Sequence, residues 1–115
     1  MTDRGFAAQL VQDLEPDDVR MVLSVFSKDL ERLTGMISAA LAAGDTGAFR
    51  RAAHGLAGAA GAVGAAELER VCRKAMNDTA ADATIIATHE ATIRQMTATA
   101  LAELAEFVQR LDKVA

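Results

Sequence analysis

The chain has 115 residues, about half of them hydrophobic, with one Pro, one Cys, no Trp or Tyr, and a formal net charge of −4. That length suits one domain with a single core, and the weight of Ala, Leu and other helix formers over β-branched and aromatic residues points to an all-α protein. An acidic chain with no basic stripe argues against nucleic-acid binding, and a lone Cys72 leaves no internal disulfide and suits a reducing compartment.

The first predicted element is a short helix over about 3–13, with Phe6, Leu10, Val11 and Leu14 as its apolar residues. Pro16 then opens a second helix, where its missing N–H costs nothing. Asp17 and Asp18 in that first turn favour the positive end of the helix dipole. This helix runs to about residue 43, with Val19, Leu23, Phe26, Leu30, Leu33, Ile37 and Leu41 in one stripe at steps of three and four. Gly44 is its stop, and Asp45 or Thr46 caps a third helix running to about residue 63. Gly64 ends that one. A fourth helix follows over about 65–76, with Leu68, Val71, Cys72 and Ala75 on one side. The last covers about 84–113, with Ile86, Ile93, Met96, Ala100, Leu104, Phe107 and Leu111 inward. Each long helix has one apolar stripe, and the connections are short. An antiparallel up-down four-helix bundle, capped by the extra N-terminal helix, satisfies that pattern. No repeat, low-complexity tract or linker divides the chain, so one domain over 1–115 is expected.

The uncharged stretches at 33–44 and 52–66 are too short for a membrane span. Asp3 and Arg4, with no long apolar run behind them, do not read as a signal peptide. The expected location is cytoplasmic.

The third helix carries the chemistry. At about 100° per residue, Phe49, Ala52, Leu56, Ala59, Ala60 and Val63 fall on one side, and His54 falls on the other. On that outward face its neighbours are Arg50, Arg51, Ala57, Gly58 and Gly61. Gly55, Gly58 and Gly61 each cost about 1 kcal/mol relative to Ala inside a helix. Close helix packing accounts for Gly55, which lies to one side. For Gly58 and Gly61 the expectation is steric: bare positions next to the His let a second protein reach the ring. An exposed imidazole, which in water titrates near ~6.5, is substantially neutral and nucleophilic at cytosolic pH. It can attack an activated phosphoryl group such as an aspartyl phosphate. Arg50 or Arg51 is placed to steady the phosphate charge.

The run Ala53-His54-Gly55-Leu56-Ala57-Gly58-Ala59-Ala60-Gly61-Ala62-Val63-Gly64-Ala65, continuing to Leu68 and Cys72, resembles the histidine-containing phosphotransfer (HPt) domain, whose pattern is roughly A-H-x-L-K-G-[SA]-[SA]-x-x-x-G-A-x-x-L. The preceding Leu41-Ala42-Ala43-Gly44-Asp45 and the order of helices are also similar to that family. The resemblance implies His54 as phosphoacceptor, Gly58 as the residue that clears space beside it, and Leu56 as core. It implies receiver domains of response regulators or hybrid histidine kinases as partners. It implies no cofactor of the chain's own: the Mg²⁺ and catalytic aspartates belong to the partner, so the protein is a carrier and not an enzyme, and the family is often monomeric. One departure stands out. The family's Lys three residues after the His is Ala57 here, and Arg50 or Arg51 is expected to take over part of its role.

Other features carry plainer expectations. His89 lies near Ile86 and Ile93 and reads as a half-buried structural residue. Cys72 reads as a small buried hydrophobe. Met21 and Val25 point away from the stripe of their helix, either covered by Phe6 and Leu10 or forming part of an apolar docking patch next to His54. Two His on different helices, one Cys and no Glu-x-x-His pair do not make a metal site, and no phosphate-binding glycine loop follows a strand. The rival reading is a helical adaptor that binds receiver or kinase domains without carrying phosphate.

Overall fold

The computed structural model describes residues 12–114, with side chains through residue 111. Among these, four helices and no strands are present: α1 Pro16–Ala43, α2 Thr46–Ala62, α3 Ala66–Asn77 and α4 Ala83–Val114. The predicted boundaries agree within one residue or so. The expected helix over 3–13 lies almost wholly outside the described residues, and its last two, Gln12 and Asp13, form a turn.

The helix ends follow local chemistry. Pro16 occupies the first turn of α1, followed by Asp17 and Asp18. Gly44 takes a left-handed φ of 68°, and its amide bonds back to Ala40 and Leu41 carbonyls. A side chain there would strain the backbone. The Asp45 carboxylate then accepts the Ala48 amide at 3.0 Å and starts α2 at once. Gly64, at φ 75°, makes the second reversal, and the Ala65 amide bonds the Ala60 carbonyl at 2.9 Å across it. Asp82 caps α4 by accepting the Ile85 amide at 2.9 Å.

These short turns force antiparallel neighbours. Each helix packs on the next and α4 closes back on α1, while the diagonal pairs make no backbone contact. Leu23, Leu30, Ile37, Leu56, Leu68, Ile93 and Leu104 fill the shared core and are essentially inaccessible. Between α1 and α4 the packing is interrupted by a polar layer that sequence periodicity did not mark. Thr34 and Thr97 hydroxyls bond at 3.0 Å. The Ser38 hydroxyl donates to the buried Glu90 at 2.6 Å, and Arg94 donates to both Glu90 oxygens at 3.2 Å. Burial pushes the Glu90 carboxyl up in pKa, but the Ser38 and Arg94 bonds outweigh it, so the group lies below the ordinary carboxylate range.

α1 and α4 have 28 and 32 residues against 17 and 12 for α2 and α3. One end of the α1–α4 pair therefore extends past the α2–α3 hairpin. Met21 and Val25 sit there, 61% and 56% exposed, beside Leu14, Val22 and Phe26. Their expected cover, Phe6 and Leu10, lies outside the described residues.

Candidate functional site

The inward arc of α2 fixes which way His54 points. Phe49, Ala52, Ala53, Leu56, Ala57 and Ala60 are all buried, and Leu56 is fully enclosed. His54 lies opposite that arc and is exposed. Its ring makes no hydrogen bond or ion pair with any described residue. Both ring nitrogens are free to serve as nucleophile or donor.

Of the four glycines in α2, Gly55, Gly58 and Gly61 have three different surroundings. A Cβ on Gly55 would lie 3.2 Å from Leu33 Cδ2, so this glycine lets α2 close onto α1. A Cβ on Gly58 would meet nothing within 4 Å. Helical side chains lean toward the N-terminus, over the preceding turn. A side chain at 58 would therefore lean onto the His54 ring, and its absence leaves that approach open. Gly61 departs from expectation. Its Cβ would lie 3.1 to 3.2 Å from the Glu69 carboxylate, so a side chain from α3 occupies the space that sequence reasoning left for a visitor.

Ala57, expected on the outward face, is instead fully buried. The helical wheel puts residue 57 at the edge between core and solvent, and α3 packs over that edge. Ala57 therefore does not line the His54 face.

Arg50 is half-buried and Arg51 exposed, and neither is paired with a described residue. The Arg51 guanidinium lies back along the helix, 3.3 Å from where a Gly47 Cβ would be. The lean of helical side chains carries it away from His54. Met21 and Val25 lie on the flank of α1 that borders this face, but further along. Gly55 packs on Leu33, so the end of α2 is level with about residue 26, and both side chains lie beyond it. Sequence reasoning missed three flanking residues. Met36 of α1 is 48% exposed, and Glu69 and Arg73 of α3 form an ion pair at 2.8 Å. The spacing of four between Glu69 and Arg73 was a visible signal for the pair.

The second histidine behaves differently. His89 is half-buried, and its Nε2 lies 2.9 Å from the carboxylate of Asp78, the residue that ends α3. It ties the α3–α4 connection to α4, as expected of a structural residue. Cys72 is fully buried, and burial pushes its thiol up to about 12, which keeps it protonated and unreactive. Among the described residues no three His, Cys, Asp or Glu side chains cluster as metal ligands, and no helix is long and apolar enough to cross a membrane.

No curated protein and no solved structure matches the chain. The family model of the Hpt domain matches residues 21–114. Hpt domains are helical bundles that carry phosphoryl groups in two-component signalling, interacting with receiver domains and kinases. That match spans most of the chain and joins an all-helical bundle to an outward histidine with an open turn beside it, so the chain belongs to the Hpt domain family.

Proposed function

We propose that this protein is a phosphorelay intermediate, accepting a phosphoryl group on His54 from a receiver-domain aspartate and passing it to a second receiver. One observation carries the reading: an exposed, unpartnered imidazole lies one turn before a glycine with no neighbour in range. A phosphoacceptor needs access for a whole protein, and bare space beside the ring supplies it.

The step is an in-line displacement. Neutral imidazole keeps its proton on Nδ1 and attacks phosphorus through the Nε2 lone pair. The bond between phosphorus and the acyl oxygen breaks, and the aspartate leaves as a carboxylate. The ring takes the positive charge, so no proton has to leave during the transfer. The second receiver reverses the step with its own aspartate as nucleophile. The chain acts stoichiometrically, with metal and acidic residues supplied by the partner, and works as a cytoplasmic monomer.

Arg50 and Arg51 belong to the docking rim in this reading, as a positive edge for the acidic pocket of a receiver. Gly58 is the gap into which the partner fits. Met21 and Val25 extend the contact along α1 as an apolar patch. Ala57, where the family has Lys, is the one observation that favours the adaptor alternative, since an adaptor needs no cation beside a phosphate.

Mixing the protein with a phosphorylated receiver tests the proposal. The expected product is an acid-labile, alkali-stable phosphate on this chain, lost in His54→Gln. Binding of the receiver without label on the wild-type chain would establish the adaptor reading instead.

A further inference from the structure

The family's cation leans onto its histidine from one turn further along the same helix. In this chain that position is Ala57, small and fully buried. Arg50 and Arg51 precede His54, and their side chains lean the opposite way, Arg51 visibly so over Gly47. Neither stands where the missing Lys would reach.

The neighbouring helix does offer a cation on the correct side. The three-residue turn at 63–65 makes α3 antiparallel to α2. Glu69 of α3 lays its carboxylate on Gly61, two helical turns and about 10 Å along the axis from His54. Arg73 lies one turn further along α3, which carries its backbone about 6 Å closer to the level of His54. Its guanidinium donates to the same Glu69 oxygen from Nε at 3.0 Å and from Nη2 at 2.8 Å. A guanidinium is thereby parked at the α3 border of the His54 face, on the carboxylate that covers Gly61; it leans back along α3, and release from Glu69 lets it swing toward the level of His54.

We propose that Arg73 is the residue that binds the phosphoryl group on His54, and that Glu69 stores its guanidinium until the phosphoryl arrives. This rests on His54 being the phosphoacceptor. The pair is solvent-exposed, with side-chain accessibilities of 50% for Arg73 and 32% for Glu69, so it is weakly held. A phosphoryl group carries more negative charge than one carboxylate and accepts the planar fork of an arginine in two-point fashion. The incoming group therefore draws Arg73 off Glu69. Glycine at 61 has a second use here: a Cβ would press the Glu69 carboxylate aside by a few tenths of an ångström, and a longer side chain would compete for the place where the guanidinium is parked.

The test uses the full chain and phosphoramidate, a small donor that needs no partner protein. Label on His54 is followed in wild type, Arg73→Ala, Arg73→Lys, Glu69→Gln and the Arg50→Ala/Arg51→Ala double variant. Arg73→Ala is expected to slow labelling about tenfold, the loss of one charge-assisted contact in the transition state, and Arg73→Lys to restore part of it. Glu69→Gln, which frees the guanidinium, is expected to label at least as fast as wild type. The double variant, whose two cations border the same face, is expected to lose less rate than Arg73→Ala. In ¹⁵N spectra the Arg73 Nε–H resonance is expected to move on phosphorylation, a change that a purely structural ion pair would not show. Wild-type labelling with an unchanged rate in Arg73→Ala and a stationary Arg73 resonance would overturn the role of Arg73 alone, as would loss of rate in the double variant only. A wild-type chain that takes no label would overturn the reading of His54 and this inference together.

Discussion

The two histidines occupy opposite kinds of environment. His54 is exposed on α2 and bonds to nothing among the described residues, while His89 is half-buried on α4 and is held by Asp78 at 2.9 Å. The same side chain thus serves two ends. Where a carboxylate engages Nε2, the ring fastens a connection. Where the neighbouring turn is cleared, the ring nitrogens are left for a reaction partner. Imidazole chemistry alone separates neither case; the surroundings do.

The sharpest way to break this comparison is to exchange the losses. His54→Gln should lose all phosphate label with little change in stability, because an exposed side chain with no partners holds nothing together. His89→Gln should keep the label. Label surviving in the first variant would overturn the assignment of roles.

Gly58→Leu comes next. It should slow transfer from a receiver about tenfold or more, as a side chain leaning onto His54 enters the partner's approach. It should also stabilise the fold by roughly 0.8 kcal/mol, because a good helix former replaces glycine in open space. Thermal melting alongside a transfer assay reads both effects. A more stable protein that transfers as fast would show that the gap beside His54 is incidental.

His89→Ala should cost about 1 kcal/mol in chemical denaturation, the worth of one hydrogen bond. Asp78→Ala should cost a similar amount, with no further loss in the double variant.

The smallest effect concerns Glu90, which marks how a buried group is held when a partner is present. Its folded pKa lies below the ordinary value because the Ser38 and Arg94 bonds outweigh burial. Its stabilising contribution is therefore complete above the unfolded carboxylate range, near ~4.3, and is lost as pH falls from there through the lowered folded value. Melting temperature should drop over that acid window, and Glu90→Gln should flatten the drop.

Much of this molecule was written in its sequence. Steps of three and four in apolar residues, Pro16 at one helix start, Asp45 at another and glycines at 44 and 64 set four helices within a residue or so of their ends. Those signals are local, since each depends on neighbours within a turn or two of the chain. The outward direction of His54 followed from the same periodicity, and the run from Ala53 to Ala65 pointed to the family.

What tertiary structure decided lies at the borders between helices. Ala57 and Gly61 share the edge of α2, and the wheel could not say which belongs to the core. The position of α3 buried one and laid Glu69 on the other. Glu90 and Thr97 stand inside because Ser38 and Thr34 of α1 face them. A residue at the margin of an amphipathic stripe is assigned to core or surface by whichever helix packs against it, and helical periodicity contains no information about that neighbour.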